Sequence, residues 1–228
     1  LFYNFWPHCI FRSYVLFPTS QDHKRAFDGD EGLNTGGMGT YSPAPFLNEA
    51  ELESIKRSVV EPWLQGCEAE GIDFCGILYP GLMLTDNGPK VLEFNARWGD
   101  PETQVVIPRI KNDLLEILLK CFENKLDEID LNFTNGYTTT VILASNGYPE
   151  SYPKGDEINN LEEDSNNKIF HAGTIFKDNK VLSNGGRVIA CTGFGKNLND
   201  ALNSSYKIAN KISWKNKYFR KDIGNDLK

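Results

Sequence analysis

The run Val91-Leu92-Glu93-Phe94-Asn95-Ala96-Arg97, followed by Trp98-Gly99-Asp100-Pro101-Glu102-Thr103-Gln104, constrains this chain more than any other stretch. Apolar and polar residues alternate through its first half, and a strand sends successive side chains to opposite faces. The alternation predicts Leu92, Phe94 and Ala96 in a core, with Glu93, Asn95 and Arg97 together on the other face. Upstream, Cys75 to Leu84 is also strand-like, and Asp86-Asn87-Gly88 between the two runs is a hairpin signal. The run is therefore the return arm of a hairpin.

On the polar face, a carboxylate and an amide oxygen two residues apart suit a hard cation such as Mg²⁺. Arg97, next in the row, carries a planar fork that binds phosphate or carboxylate through two bonds. Gly99-Asp100-Pro101-Glu102 adds two carboxylates on a turn stiffened by proline. This chemistry points to a metal-bound phosphate. A solvated strand face also carries charges, and the spacing alone leaves both readings open.

With 228 residues the chain is long enough for one large domain or two ordinary ones. Its net charge of −7 argues against a nucleic-acid partner, which calls for a basic patch. A nucleotide is still possible, because a local cluster of N–H groups, Arg and a cation is enough to hold one. No stretch reaches the roughly 18–20 apolar residues of a membrane span, so no membrane partner is expected. Cys9, Cys67, Cys75, Cys121 and Cys191 are scattered without a Cys-x-x-Cys pair. They read as reduced thiols, mostly core filler, in a cytoplasmic protein. The aromatic start, Leu1 to Pro18, lacks the order of a signal peptide. It begins with Leu rather than Met, which reads as a fragment.

Gln21 to Pro45 is rich in Gly, Asp, Asn and Pro and is expected to be one long loop. Within it, Asn34-Thr35-Gly36-Gly37-Met38-Gly39 would let successive N–H groups approach an anion. It matches neither a Walker loop nor a Rossmann fingerprint, and a generic Gly-rich turn remains the alternative. A helix is predicted from Asn48, which forms a capping box with Glu51. Leu52, Ile55, Val59, Trp63 and Cys67 make its apolar stripe, Pro62 kinks or splits it, and Gly71 stops it. A second helical pattern runs from Glu102 to about Lys125, restarting after Pro108 with Asn112 or Asp113 as cap. Val105, Leu114, Leu115, Leu118 and Cys121 should face the core. The acidic segment Asp127 to Asn135 is the candidate domain boundary. Beyond it, strands are predicted over Thr138–Ser145, Lys168–Phe176 and Val181–Thr192, the last interrupted at Gly185-Gly186. Asn159–Asn167 is polar and expected to be exposed, and a final helix from about Asn199 buries Leu202, Ile208, Ala209 and Ile212.

Several motifs, in order, carry a resemblance. They are Gln21-Asp22-His23-Lys24-Arg25, Asn34 to Gly39 with Tyr41-Ser42-Pro43-Ala44-Pro45, and the run Val91 to Gln104. Later come Leu143 to Pro149, His171-Ala172-Gly173-Thr174, Gly185-Gly186-Arg187-Val188 and Tyr218 to Gly224. From about Pro18 onward the chain resembles the phosphoribosylamine–glycine ligases, also called glycinamide ribonucleotide synthetases. Trp98 stands where the family usually has Phe.

The resemblance implies an α+β fold: the C-terminal part of an ATP-grasp fold over 1–131, with residues 1 to about 13 atypical. A small mixed α/β C-terminal domain with antiparallel strands follows over 132–228. It implies ATP-dependent joining of glycine to 5-phosphoribosylamine through a glycyl phosphate in purine biosynthesis, with ATP as co-substrate and Mg²⁺ or Mn²⁺ as cofactor. Glu93 and Asn95 match the family's metal ligands. Arg97 matches a phosphate or acyl-phosphate contact, and Asp100 and Glu102 a conserved acidic turn near substrate. Asp22, His23, Lys24, Asn34, Thr35, Gly36, Gly37 and Gly39 match segments bordering the active site. Arg187 is implied as a nucleotide or substrate contact, with a structural salt bridge as the alternative; His8 and His171 are expected to be structural or exposed. No residue looks like a covalent nucleophile.

The family also has an N-terminal substrate-binding domain, the first part of the ATP-grasp fold and a lid, none of them found here. A truncated or frame-shifted reading would explain this together with the unusual start. The alternative to a working ligase is thus an inactive fragment, or a subunit that needs a separate N-terminal half. Exposed apolar patches would follow. A carboxylase-type ATP-grasp enzyme shares the Glu-x-Asn-x-Arg strand but not the later motifs.

Overall fold

The computed structural model describes residues 2–3 and 14–225. His8 and Cys9 lie outside the described residues. The chain forms two compact units, and each draws on three separate segments. The first comprises Leu1–Phe17, Pro45–Gly99 and Ile110–Thr134; the second comprises Pro18–Ala44, Asp100–Arg109 and Asn135–Lys228. Helices and antiparallel sheets make the whole an α+β protein.

In the first unit, the helix Glu49–Ile55 begins as the sequence predicts. The Asn48 side chain accepts from Glu51 N–H, and the Glu51 carboxylate accepts from Asn48 N–H. The helix continues through a π-helical stretch, Lys56–Val60, into Glu61–Ala69. Pro62 falls in the first turn of that last segment, where its missing N–H costs least. Val59, Val60, Leu64 and Cys67 are buried. Asp113, not Asn112, caps the helix Leu114–Phe122 by accepting from Leu115 N–H. Asn112 instead pins the segment after the helix, accepting from Asn132 N–H at 2.7 Å and donating to Asp130 O at 3.0 Å. Ile117, Cys121 and Leu126 form a core with Phe17, Ile77, Trp98 and Leu118 around it. Each fully buried aliphatic side chain contributes about 1.5–3 kcal/mol.

Two expectations fail in this unit. Leu115 is 62% exposed, because the buried stripe runs through Leu114, Ile117, Leu118 and Cys121 at helical spacing. Leu115, Leu119 and Phe122 share the opposite, exposed side. The hairpin forms as predicted, with Tyr79–Thr85 paired to Gly88–Asn95. Its apolar side, however, is not in a core: Leu92 is 65% exposed, and Phe94 and Ala96 are exposed too. The hairpin is a two-stranded sheet of its own, and Phe94 lies beside the flanking Trp63 ring, at 6.1 Å. A register shift leaves Leu92 without a partner across the ladder, between Val91 opposite Leu82 and Glu93 opposite Gly81, and alternation says nothing about whether a second layer covers these side chains.

The second unit centres on one antiparallel sheet. Its order is Asn167–His171, Arg187–Gly195, Tyr137–Ser145, Gly39–Ser42 and Gln21–Asp22, and Lys217–Tyr218 also pairs with Tyr137–Ser145. The central strand is rich in β-branched residues and buried on both faces from Thr138 to Ser145. Its hydroxyls are satisfied: Thr140 Oγ1 lies 2.6 Å from Thr192 Oγ1 and Thr139 Oγ1 lies 2.9 Å from Ser205 Oγ. The helix Leu198–Lys211, capped by Asn197, buries Ala201, Leu202, Ile208 and Ala209. Asn159 to Asn166 is largely exposed, but Asn167 is buried.

The predicted long loop is not one. Gln21–Asp22, Arg25–Phe27, Glu31–Asn34 and Gly39–Ser42 are all strands. Runs of two to four residues are too short to show alternation, and Gly39–Ser42 takes its central partner, Tyr137–Ser145, from about a hundred residues later. The turn between Arg25–Phe27 and Glu31–Asn34 is held from the C-terminal end. Asp222 accepts from Gly29 N–H and Asp28 from Lys221 N–H, both across 193 residues. Arg220, 2% exposed, makes two parallel bonds of 2.8 Å to Asp222 and one of 3.0 Å to Asp30.

Candidate functional site

The run Val91 to Gln104 reads as one site in sequence, but the two units divide it. Glu93, Asn95 and Arg97 belong to the first, and Asp100 and Glu102 to the second.

In the first unit, Glu93 and Asn95 lie two residues apart on the return strand, across from Gly81 and Tyr79. Glu93 is exposed and Asn95 half-buried, so both reach solvent from the same face. Gly81 leaves room across the ladder, for a Cβ there would stand 3.2 Å from Glu93 Cγ. Arg97, just past the strand, is exposed and donates to Trp98 O at 2.9 Å. The Trp98 ring meets Phe17 edge-on at 5.0 Å, which anchors the exit of the strand in the core. Among the described residues, no group of three or more His, Cys, Asp and Glu side chains is placed to hold a metal. One carboxylate and one amide oxygen fit Mg²⁺ nonetheless, since it keeps several waters and takes only one or two protein oxygens beside phosphate.

In the second unit, Asp22, Lys24, Gly36, Gly37, Asp100, Glu102 and Arg187 come together. Asp22 is buried and forms an ion pair with the half-exposed Lys24. Apart from that pair, neither carboxylate oxygen accepts a hydrogen bond. Burial, then the nearby Glu102 charge, pushes the Asp22 carboxyl up to about 6, with Lys24 opposing. Glu102 is itself buried. Gly37 sits between the Pro101 ring and the Asp22 carboxylate, at φ +116°, and a Cβ there would lie 2.6 Å from Asp22 Oδ1. Gly36 packs flat on the Arg187 guanidinium, 2.8 Å from Cζ for an added Cβ. Both glycines are needed for close packing between segments of this unit.

The loop amides that would cradle an anion have partners inside the protein. Thr35 N–H donates to Lys24 O, Gly36 N–H to the Tyr148 hydroxyl, Gly37 N–H to Thr35 Oγ1 and Met38 N–H to His23 O. Gly39 is buried in a strand. His23 is buried: its Nδ1 lies 3.2 Å from Gly39 O, and its Nε2 accepts from Gly224 N–H. Arg187 forms a salt bridge with Asp100 and donates to Gly36 O. His171 is exposed, with Nδ1 at 3.0 Å from Thr174 Oγ1. Sequence reading missed Tyr148, which holds Gly36 across 112 residues, and Gln104, which donates to Asp100 Oδ1 at 3.0 Å. Both lie in motifs that carry the family resemblance, but no local spacing relates Tyr148 to the loop.

Comparison with known proteins decides the family. The profile of the phosphoribosylglycinamide synthetase ATP-grasp (A) domain matches residues 10–103, and that of the C domain of the same synthetase matches 138–226. The chain belongs to the phosphoribosylglycinamide synthetase family. Within that family it is 45% identical over 211 residues to the phosphoribosylamine–glycine ligase of Agrobacterium fabrum, covering 92% of this chain and 50% of the relative. It is 49% identical over 214 residues to a bifunctional purine biosynthetic protein of Pichia angusta, covering 92% and 27%. The crystal structure of the Thermotoga maritima phosphoribosylamine–glycine ligase superposes with a TM-score of 0.81 at 36% identity, covering 92% of this chain and 52% of that one. The chain thus spans about half the length of these single-function synthetases. The biotin carboxylase domain of Hydrogenobacter thermophilus 2-oxoglutarate carboxylase has a TM-score of 0.58 at 12% identity, a likeness of ATP-grasp fold alone. Among the described residues, no helix is long and apolar enough to cross a membrane.

Proposed function

We propose that this chain supplies part of a cytoplasmic enzyme that ligates glycine to 5-phospho-D-ribosylamine. ATP is cleaved to ADP and phosphate through a glycyl phosphate, and the product, glycinamide ribonucleotide, enters de novo purine synthesis. The observation that carries this reading is the match of both domain profiles of one synthetase, in order, along a single chain. Under it, 1–131 is the ATP-grasp part and 132–228 the C-terminal domain. Glu93 and Asn95 would hold Mg²⁺ or Mn²⁺, which supplies charge neutralisation at the transferred phosphate. Arg97 would contact the phosphate or acyl phosphate. Asp100, Glu102, Asp22 and Lys24 would border the substrates, with loop 34–39 and Arg187 shaping that border.

Since the chain spans about half of its relatives, the complete reaction also draws on the N-terminal half that they contain. The test is ADP release by the enzyme assembled from both halves. Release that requires glycine and phosphoribosylamine together supports the proposal, and release with neither, or with another carboxylate in place of glycine, overturns it. A chain that is silent alone and active once an N-terminal half is added is a docking subunit. Silence in both states identifies an inactive fragment.

A further inference from the structure

Two thiols that the ligase chemistry does not use lie side by side in the first unit. Cys75 Sγ is 3.9 Å from Cys121 Sγ, within a hydrogen bond, and equally close to Cys121 O. Cys75 is half-buried, just before the strand Gly76–Ile77, and Cys121 is buried near the end of the helix Leu114–Phe122. We propose that Cys75 and Cys121 form a reversible dithiol–disulfide site that reacts with hydroperoxides.

The two sulfurs have different roles. Reagent reaches the half-buried Cys75 first, and Cys121 waits behind it. Burial pushes both thiols up, Cys121 to about 12, and contact with Cys121 offsets only part of the rise at Cys75. Because Cys75 is the more exposed of the two, the first thiolate to meet reagent is that of Cys75. It attacks the terminal oxygen of the hydroperoxide; an S–O bond forms, the O–O bond breaks, and the alkoxide takes the thiol proton and leaves as alcohol. The Cys121 sulfur then attacks the sulfenic sulfur. The S–S bond forms, the S–O bond breaks, and hydroxide leaves as water with the Cys121 proton. Sulfur loses two electrons and the peroxide gains them. An external dithiol restores the two thiols by exchange: its thiolate attacks one sulfur, the Cys75–Cys121 bond breaks, and the reagent closes to its own disulfide.

A disulfide requires the two sulfurs to close from 3.9 Å to about 2.0 Å. The bond would tie the helix to the strand leading into the hairpin that carries Glu93 and Asn95. High thiol pKa values make this a slow site, faster at pH 9 than at pH 7.

The test uses the reduced chain, treated with hydrogen peroxide, blocked with maleimide, digested without reductant and mapped by mass spectrometry. The expected product is a Cys75–Cys121 peptide pair, lighter by two hydrogens than its parts and released by dithiothreitol. Cys75→Ser and Cys121→Ser should each lose it. The wild-type map needs no variant to fold: the same mixture of cysteine pairings in native buffer and in guanidinium overturns the proposal. So does oxidation of Cys75 to the sulfinic acid with no link to Cys121.

Discussion

Arg187 holds Asp100 twice, by its backbone carbonyl at 2.8 Å and its carboxylate at 3.1 Å, and reaches Gly36 O at 2.9 Å with the same guanidinium. One side chain thereby fixes the spacing between the Gly-rich loop and the acidic turn. Arg187→Ala should leave the circular dichroism of the protein unchanged but lower kcat/KM of the assembled enzyme by about 10- to 100-fold, through misplacement rather than lost contact. Arg187→Lys should recover only part of this, because an ammonium cannot reproduce the fork. Steady-state kinetics on the three proteins decides it.

Glu93→Gln and Asn95→Ala should each reduce turnover of the assembled enzyme by about 10- to 100-fold and raise the divalent-ion concentration needed for half-maximal rate. Neither side chain is buried, so thermal unfolding should stay where it is. A metal titration at fixed ATP and a melting curve separate the two effects.

Burial pushes Asp222 up, but the Arg220 fork and Gly29 N–H outweigh this and hold it at about 2. A carboxyl depressed when folded adds stability that is complete above its unfolded pKa, about 4, and is lost as pH falls toward 2. Asp222→Ala should cost about 3 kcal/mol at pH 7, because Arg220 stays buried with Asp30 as its remaining carboxylate. Urea unfolding at pH 7 and pH 3 should show a smaller gap between variant and parent at the lower pH.

Asp22 has the opposite sign. Its folded pKa, about 6, lies above the unfolded value, so the folded state holds the proton longer. The stability tied to that proton is present below about pH 4 and lost as pH rises through about 6. Asp22→Asn should therefore stabilise the protein at pH 7.5 and flatten the stability profile between pH 4 and 6. Chemical denaturation across that window is the measurement.

Two apolar residues should respond very differently to truncation. Ile117→Ala should cost about 2–5 kcal/mol, because the residue is fully buried in the first unit's core. Leu92→Ser should change stability by less than about 0.5 kcal/mol despite its place in an alternating strand. Unfolding midpoints of the two variants test the corrected assignment directly.

Local rules worked at several places where the partner of a residue was near it in sequence, though they missed the short hairpin of Arg25–Phe27 with Glu31–Asn34. The capping box of Asn48 and Glu51, the hairpin at Asp86-Asn87-Gly88, the break at Gly185-Gly186 and the stripe of the last helix all depend on neighbours within a turn or two. They were legible because hydrogen-bond geometry and side-chain periodicity are short-range. The Glu93–Asn95 pair belongs to the same class, since a strand's period of two puts them on one face.

Long-range pairings decided the rest. Gly39–Ser42 is a buried strand only because Tyr137–Ser145 lies beside it, a hundred residues later in the chain. Leu92 faces solvent because no layer among the described residues covers its side of the hairpin. Arg187, Asp100 and Gly36 are distant in sequence yet meet at one guanidinium. By itself, the order of residues determined many of the local elements, the placement of Glu93 and Asn95 on one strand face, and the motifs that mark the family. Which charges pair, which amides are already taken, and which apolar faces are covered depend on segments that only folding brings together, because burial and Coulomb interactions act across space rather than along the chain.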